Sequence, residues 1–554
     1  MINFILKMNS SIKIFLSLLV LLLSTIGLNA QRVSDESVLL SDFLDTRSFD
    51  ANNIALSRIT NRGDFNTATW SALKYGTLNA RRILFDAGIW VTGIIDSNIH
   101  SGIKYYSANY SPGPIIDGRP AMESVPEDSL RYRVYKIFKG NDPSNPDLLE
   151  WPEDFGAPVD ENGEPKFFGD QLLWTVYNLL DSNTVDTNYV TEKQYGILPI
   201  EVQQKIYGRA GNKIDTEDIF NNVVFIEWTI INKGSVAIDS VFIGLWCDID
   251  FYDIKSNLPA VDVVRQTGYL WSGVDFQPSI GGVPPAVGLA MLYGPVKSHP
   301  DSVAIFKGRE IDGYYNLPLN SFHGISDDAI TDPLYGPPRT EKQVYNAANG
   351  YANAGGIIID PLSSRPTKFP FAGDPVTETG WLFPEDKVDD GSGFILFTGG
   401  IDMAPSDTQW VMAALVPGVG DDKKLSIINM REKIDLLTKQ PYDSLAFGND
   451  SLIITDVEDF DEELPQEFSL KQNYPNPFNP TTTIEFEVPN NTSDKVRLSV
   501  YNILGQELKV LLDKHVAPGK HSVKFDASDL PSGVYIYSIK SGTTLLTRKM
   551  LLLK

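Results

Sequence analysis

Apolar side chains in this chain recur at alternate positions in short runs, and such a run can leave water only as one strand of a sheet. Val224, Ile226, Trp228 and Ile230 share one strand face, and Val241, Ile243, Leu245, Cys247 and Ile249 share another. The runs are rich in aromatic and β-branched residues and are broken by Gly, Pro, Asn and Asp. The expected fold class is therefore mainly β: a large β-sandwich-type region with a few flanking helices. Further strands are expected at Ala87 to Ile95, Arg131 to Phe138, Phe394 to Phe397 and Gln409 to Val416. Asn232-Lys-Gly-Ser235 has turn chemistry between two apolar runs, so a hairpin is expected over Asn222 to Asp250. One helix is expected from Lys423 to Lys439, where Ile427, Met430, Ile434 and Leu437 fall at helical spacing ahead of Pro441. No repeat of fixed period stands out, which argues against a propeller or solenoid.

The 554 residues contain one cysteine, so no intramolecular disulfide can form and stability must come from core size or from metal. Cys247 sits on an apolar strand face with nothing basic beside it in sequence, which reads as a buried thiol and not a nucleophile. Met1 to Ala30 has the layout of a secretory signal peptide: Lys7 and Lys13, an apolar run from Ile14 to Ile26, then Ala30 before the polar Gln31. Cleavage is expected between Ala30 and Gln31. The run falls short of the roughly 20 residues a spanning helix needs, and no later stretch is long and apolar enough, so the protein is not expected to be integral to a membrane. Gln31 to Glu467 holds 34 basic against 64 acidic side chains. A field of that sign repels phosphates and anionic lipid, so nucleic acid and membrane surfaces are not expected partners.

The domain plan follows from charge and alternation. Residues 31–441 form a β-rich cargo region of one or two subdomains. Residues 442–467 read as a linker, because Asp456-Val-Glu-Asp-Phe-Asp-Glu-Glu-Leu-Pro465 packs like charges without an apolar period. Residues 468–554 alternate again: Ile484, Phe486 and Val488; Val496, Leu498 and Val500; Val523 and Phe525. Turn signals between them suit a small immunoglobulin-like β-sandwich.

That last segment also carries four motifs in a fixed order: Asn473-Tyr-Pro-Asn-Pro-Phe-Asn-Pro480, Tyr501-Asn-Ile-Leu-Gly-Gln506, Pro531-Ser-Gly-Val-Tyr535 and Lys549-Met-Leu-Leu-Leu-Lys554. It resembles the type A C-terminal sorting domain of the type IX (Por) secretion system. The resemblance implies Sec export through the periplasm, recognition by the outer-membrane translocon and its sorting peptidase, and a secreted or cell-surface destination. It implies that Tyr474, Pro475, Asn476, Pro477, Phe478, Asn479, Pro480, Gly505, Gly533, Val534, Tyr535, Lys549 and Lys554 carry the recognition or its supporting fold. The cargo region resembles a family of large extracellular proteins that precede such tails, through segments such as Gly88-Ile-Trp-Val-Thr-Gly93, Gly169-Asp-Gln-Leu-Leu-Trp174 and Pro284-Pro-Ala-Val-Gly288. That resemblance implies no activity.

Catalytic motifs are missing from the cargo region. It has no His-Glu-x-x-His, Cys-x-x-Cys, Gly-x-Ser-x-Gly or phosphate-binding glycine loop, and Ser101-Gly-Ile-Lys104 is a pattern that chance supplies in a chain this long. Two acidic groupings remain. Asp248 and Asp250 fall on the face of Phe242 and Trp246, followed by Asp253, and suit a sugar site, a calcium site or the solvated end of a strand, the last being favoured. Asp160, Asn162 and Glu164, with Asp170 after them, place hard oxygen ligands at alternate positions around Gly163, which suits calcium or a plain acidic turn. Calcium is the one candidate ion, and no other cofactor is indicated. All nine Trp lie between positions 70 and 410; stacked on a glycan they would form a platform, but a large sandwich also needs aromatic core. The reading that results is an exported, non-catalytic binding or matrix protein, with a polysaccharide-active enzyme using paired carboxylates as its alternative.

Overall fold

Whether consecutive strands pair with each other or part company is decided in three dimensions; many pair here, but Val224–Asn232 and Ile238–Asp248 part. The computed structural model describes residues 44–70, 81–103, 110–180, 198–210, 218–250, 254–276, 282–326, 332–388, 391–447, 468–473, 476, 478–489, 495–502, 506–514, 519–542 and 544–553. The chain divides into two compact units, one ending at residue 450 and one beginning at 451. Residues 1–43, which include Ala30 and Gln31, lie outside the described residues, as do 448–467.

Two large antiparallel sheets dominate the described residues of the first unit, with two-stranded ribbons of Val296–Phe306 with Arg309–Asn316 and of Ile115–Ile116 with Arg119–Pro120 beside them. One large sheet has the order Thr46–Phe49, Ile54–Thr60, Phe65–Trp70, Arg81–Ile95, Ile238–Asp248, Ser392–Met403, Leu319–Ser326, with Asn98–Gly102 also on Arg81–Ile95. The other runs Asn257–Asp262, Thr267–Ser272, Ala286–Tyr293, Thr408–Gly418, Val224–Asn232, Ile200–Gly208, Gln171–Asn178, Ser111–Pro112, with Tyr135–Phe138 beside Gln171–Asn178. One hydrophobic core joins them, drawing Ile89, Ile243, Leu245 and Leu396 from the first sheet and Ile226, Trp228 and Ile230 from the second. The Phe65 and Trp228 rings meet across the layers at 6.3 Å.

The expected hairpin over Asn222 to Asp250 is corrected by this arrangement. Val224–Asn232 pairs with Ile200–Gly208 and Thr408–Gly418, whereas Ile238–Asp248 pairs with Arg81–Ile95 and Ser392–Met403 in the opposite sheet. Both strands are buried almost throughout, so each is an inner strand with two neighbours of its own. Alternation sets which face a residue joins; it does not choose the neighbour. The corner is held by Asn232, whose Oδ1 accepts from Gly234 N at 2.9 Å and whose Nδ2 donates to Met403 O at 2.9 Å.

Two more expectations shift. Of Arg131 to Phe138 only Tyr135–Phe138 is strand, because Pro126–Arg131 forms a short 3-10 helix that Pro126 starts without needing an amide donor. The linker expected from Tyr442 begins with a helix, Tyr442–Phe447, that buries Tyr442, Ser444, Leu445 and Ala446 in the first unit. The acidic run that suggested the linker begins only after it. The helix expected near the end of the cargo region spans Lys423–Thr438 and is capped by Asp422, whose Oδ1 accepts from Leu425 N at 2.8 Å. It buries Ile427, Met430, Ile434 and Leu437 against the second sheet, each worth about 1.5–3 kcal/mol of transfer free energy. A shorter helix, Glu341–Ala348, packs Val344, Ala347 and Ala348 onto Trp90, Phe242, Trp246 and Phe397 on the outer face of the first sheet. Cys247 is free and buried, and that burial pushes its thiol pKa well up.

The described residues of the second unit form a sandwich of seven strands. Ser469–Leu470, Thr481–Val488 and Gly519–Asp526 form one sheet; Glu507–Lys514, Val496–Tyr501, Gly533–Ser541 and Thr544–Leu552 form the other. Ile484, Phe486, Val488, Val496, Leu498, Val500 and Phe525 meet between the sheets, as their alternation predicts. Among the described residues no helix is long and apolar enough to cross a membrane.

Candidate functional site

Motifs far apart in the second unit's sequence come together at one end of its sandwich. Phe478 is buried and bridges in parallel to Leu552; its N–H donates to Leu551 O and its carbonyl accepts from Leu553 N, both at 3.0 Å. The Asn476 side-chain oxygen accepts from Leu551 N at 2.8 Å. Gly533, Val534 and Tyr535 pair with Leu552, Leu551 and Met550 along the same strand. Tyr537 completes the corner: its hydroxyl donates to Lys471 O at 2.7 Å and accepts from the buried Asn473 N at 2.8 Å. The motif backbones therefore brace one another. Asn476, Asn479, Val534 and Lys549 stay exposed, and Pro480 is half-buried. Tyr474, Pro475, Pro477, Gly505 and Lys554 lie outside the described residues.

In the first unit, a cleft of about 350 Å³ opens on the outer face of the second sheet, away from the shared core. Its floor is set by strand alternation. Lys205 stands opposite Glu227 and Trp174 in the ladder, and Gln203 stands opposite Thr229, so these side chains share the outward face. The Glu227 carboxylate is fully buried beneath the cleft and accepts four bonds: from Lys205 Nζ at 2.6 Å, the Tyr207 hydroxyl at 2.7 Å, Trp410 Nε1 at 2.9 Å and the Tyr442 hydroxyl at 3.1 Å. Burial lowers the Lys205 pKa, and its ammonium also lies 3.7 Å from the Phe168 ring centroid.

The mouth of the cleft is cationic. Phe306 pairs with Arg309 across a two-residue turn in which Lys307 and Gly308 both have positive φ, +50° and +78°. A Cβ on Gly308 would come within 2.3 Å of Tyr442 Cδ1, so the turn presses on the helix below only because glycine is there. This places Lys307 and Arg309 at the opening beside Lys166, whose ammonium lies 4.5 Å from the Phe447 ring centroid. Lys307 is exposed as a residue, yet its ammonium end is enclosed by the cleft; that burial, and then the nearby Lys205 charge, hold its pKa down to about 8. Among the described residues none of Lys166, Lys307 and Arg309 has a carboxylate within ion-pairing distance. Asp443 is the one carboxylate among the lining residues described.

Comparison with known proteins identifies one of the two units. Residues 472–553 match the secretion system C-terminal sorting domain family. The sorting domain is of the type IX kind, and it implies export to the cell surface or the medium. None of the curated proteins is significantly similar to the chain. Among solved structures, a polysaccharide lyase aligns with 92% of this chain and 46% of its own length, at 8% identity and a TM-score of 0.26. The chain thus spans less than half of that protein, and at such a score no common fold follows.

Upstream of the sorting domain, the acidic residues singled out in sequence go to separate places. Asp248 is not at a solvated strand end: it is buried directly opposite Asp86 on the adjacent strand, on the outer face that carries Trp246. Asp250 is half-buried just after the strand, and Asp253 lies outside the described residues. Asp160 is an exposed turn residue whose Oδ1 accepts from Glu164 N at 3.0 Å and Asn162 N at 2.8 Å, and these amides hold its pKa below the usual carboxylate value. Asp170 is used elsewhere, paired with Lys139 at 2.9 Å and accepting from Ala210 N at 2.8 Å. Among the described residues no three His, Cys, Asp or Glu side chains converge in a way that could hold a metal ion. Trp90, Trp228, Trp246 and Trp410 are fully buried and serve as core, and Trp174, also buried, lies at the floor of the cleft.

The cationic cleft was missed because its charges come from positions 166, 205, 307 and 309, spread across a region whose overall charge is strongly negative. A local sign was present. Glu227 interrupts the outward face of an otherwise apolar strand, and Gln203 and Lys205 alternate outward on another; both mark a sheet face that must solvate charge.

Proposed function

We propose that this chain is a type IX cargo protein whose first unit is a non-catalytic binding or matrix protein, delivered to the cell surface or medium by its sorting domain. The match of residues 472–553 carries the delivery half of this reading. In it, residues 1–30 direct Sec export and are removed after Ala30, the translocon reads the exposed rim formed by Asn476, Asn479, Val534 and Lys549, and the sorting peptidase then releases or anchors the cargo. The sandwich has its own core, so it can dock while the first unit stays folded. A binding role is favoured by the cleft, where Lys166, Lys307 and Arg309 have no carboxylate within ion-pairing distance among the described residues and Glu227 has both oxygens engaged by four donors, a poor arrangement for a carboxylate that must exchange a proton with substrate.

The delivery half is tested by fusing residues 468–554, behind a Sec leader, to a fluorescent reporter in a host with type IX machinery. Appearance of the reporter at the surface or in the medium is expected. Retention in the periplasm would refute it.

A further inference from the structure

We propose that the cleft on the outer face of the second sheet binds an acidic saccharide, with the carboxylate of a uronic acid unit held by Lys166, Lys307 and Arg309. This deepens the binding role proposed above and rests on it. Net charge is the first objection, since the whole chain carries −24. At physiological ionic strength, however, charges act over about 8 Å, so a ligand in the cleft responds to the cations around it and not to carboxylates on the far side of the unit. Like charge in the cleft is costly to hold: burial first, and then repulsion from the Lys205 ammonium, lower the Lys307 pKa to about 8. An anion placed among the cations offsets that repulsion and gains charge-assisted hydrogen bonds.

Three features narrow the anion. The cleft, at about 350 Å³, lies at the small end of ligand sites, which suits one or two rings and excludes a folded partner. Its lining includes Pro158, Val159 and Phe447, apolar groups against which the C–H face of a sugar can lie. Asp443 sits in the same lining and can accept hydrogen bonds from hydroxyl groups, which a bare inorganic anion lacks. A ligand rich in hydroxyls and carrying one carboxylate satisfies both signs of charge.

The test is titration calorimetry of the full chain at pH 7 with a galacturonate trimer, a neutral galactose trimer and sodium sulfate, in low and high salt. The acidic trimer should bind, more weakly in high salt, while the neutral trimer and sulfate should not. The variant Lys166→Met/Lys307→Met should lose affinity by about tenfold or more with its melting midpoint unchanged, because each removed ammonium is a charge-assisted contact. Lys514→Met, on the sorting domain, should bind as the wild type does. No heat from the acidic trimer, or full affinity in the double variant, would overturn the proposal. Equal binding of the neutral trimer or of sulfate would overturn the saccharide-acid assignment. Shortening of the trimer during the titration would sink the non-catalytic reading while leaving the ligand assignment standing, and absence of binding would leave the export reading untouched.

Discussion

Glu227→Gln should be the most damaging single-atom exchange in the first unit. The carboxylate is fully buried and accepts from Lys205, Tyr207, Trp410 and Tyr442. An amide keeps the shape, but its NH2 points a donor at one pair of these donors and leaves the Lys205 ammonium beneath the cleft without its counter-charge. Breaking a buried ion pair from one side costs about 3–5 kcal/mol. Unfolding entropy is about 2.1 cal/mol/K per residue, so roughly 400 residues give about 0.8 kcal/mol/K, and a loss of about 4 kcal/mol lowers the midpoint by about 5 °C. Tryptophan fluorescence isolates this unit, because all nine Trp lie between positions 70 and 410. Lys205→Met supplies the second arm: removing the ammonium together with the carboxylate should recover about 1–3 kcal/mol relative to the sum of the single losses. A midpoint within about 1 °C of wild type for Glu227→Gln, or strictly additive losses, would refute the account of how the cleft floor is held.

Three further outcomes are expected. His323 is buried with Nε2 2.8 Å from Gly336 O, and burial lowers its pKa to about 4. The unfolded chain takes up that proton near pH 6.5, so stability should be level above that value and fall toward pH 4 with a slope approaching about 1.4 kcal/mol per unit. His323→Gln should flatten denaturant-measured stability over that window; an identical slope in the variant would assign it to other groups. Cys247 should resist a thiol reagent in the native protein and react stoichiometrically in denaturant, since its thiol is buried and its pKa raised; rapid native labelling would contradict this. Tyr537→Phe strands the buried Asn473 N–H and frees Lys471 O, at a cost of about 1–3 kcal/mol. Limited proteolysis of the full chain should then cut the sorting domain faster while the first unit keeps its resistance; equal rates would argue against the corner as a brace.

Face and period were legible without coordinates wherever an element's own residues decide them. The helix at Lys423–Thr438 starts on Asp422 and buries the four apolar residues its spacing singled out, because capping and amphipathicity are local. The same holds for Ile484, Phe486 and Val488 in the sorting domain, where one face is core and the other solvent. Locality fails where burial is complete. Val224–Asn232 and Ile238–Asp248 are apolar enough to be inner strands of any sheet, so turn chemistry at Asn232 suggested a hairpin while the two strands joined different sheets, each between two neighbours of its own. Asp248 shows the same limit: its face was read from alternation, its burial against Asp86 was not.

Destination and β class were thus written in the amino-acid order, because sorting motifs and strand alternation are properties of consecutive residues. The strand partners and the cleft were settled only by packing. Lys166, Lys205, Lys307 and Arg309 become one site when a ladder, a two-residue turn and the helix Tyr442–Phe447 meet over Glu227, and Coulomb forces that act over several ångströms respond to that meeting and not to position along the chain.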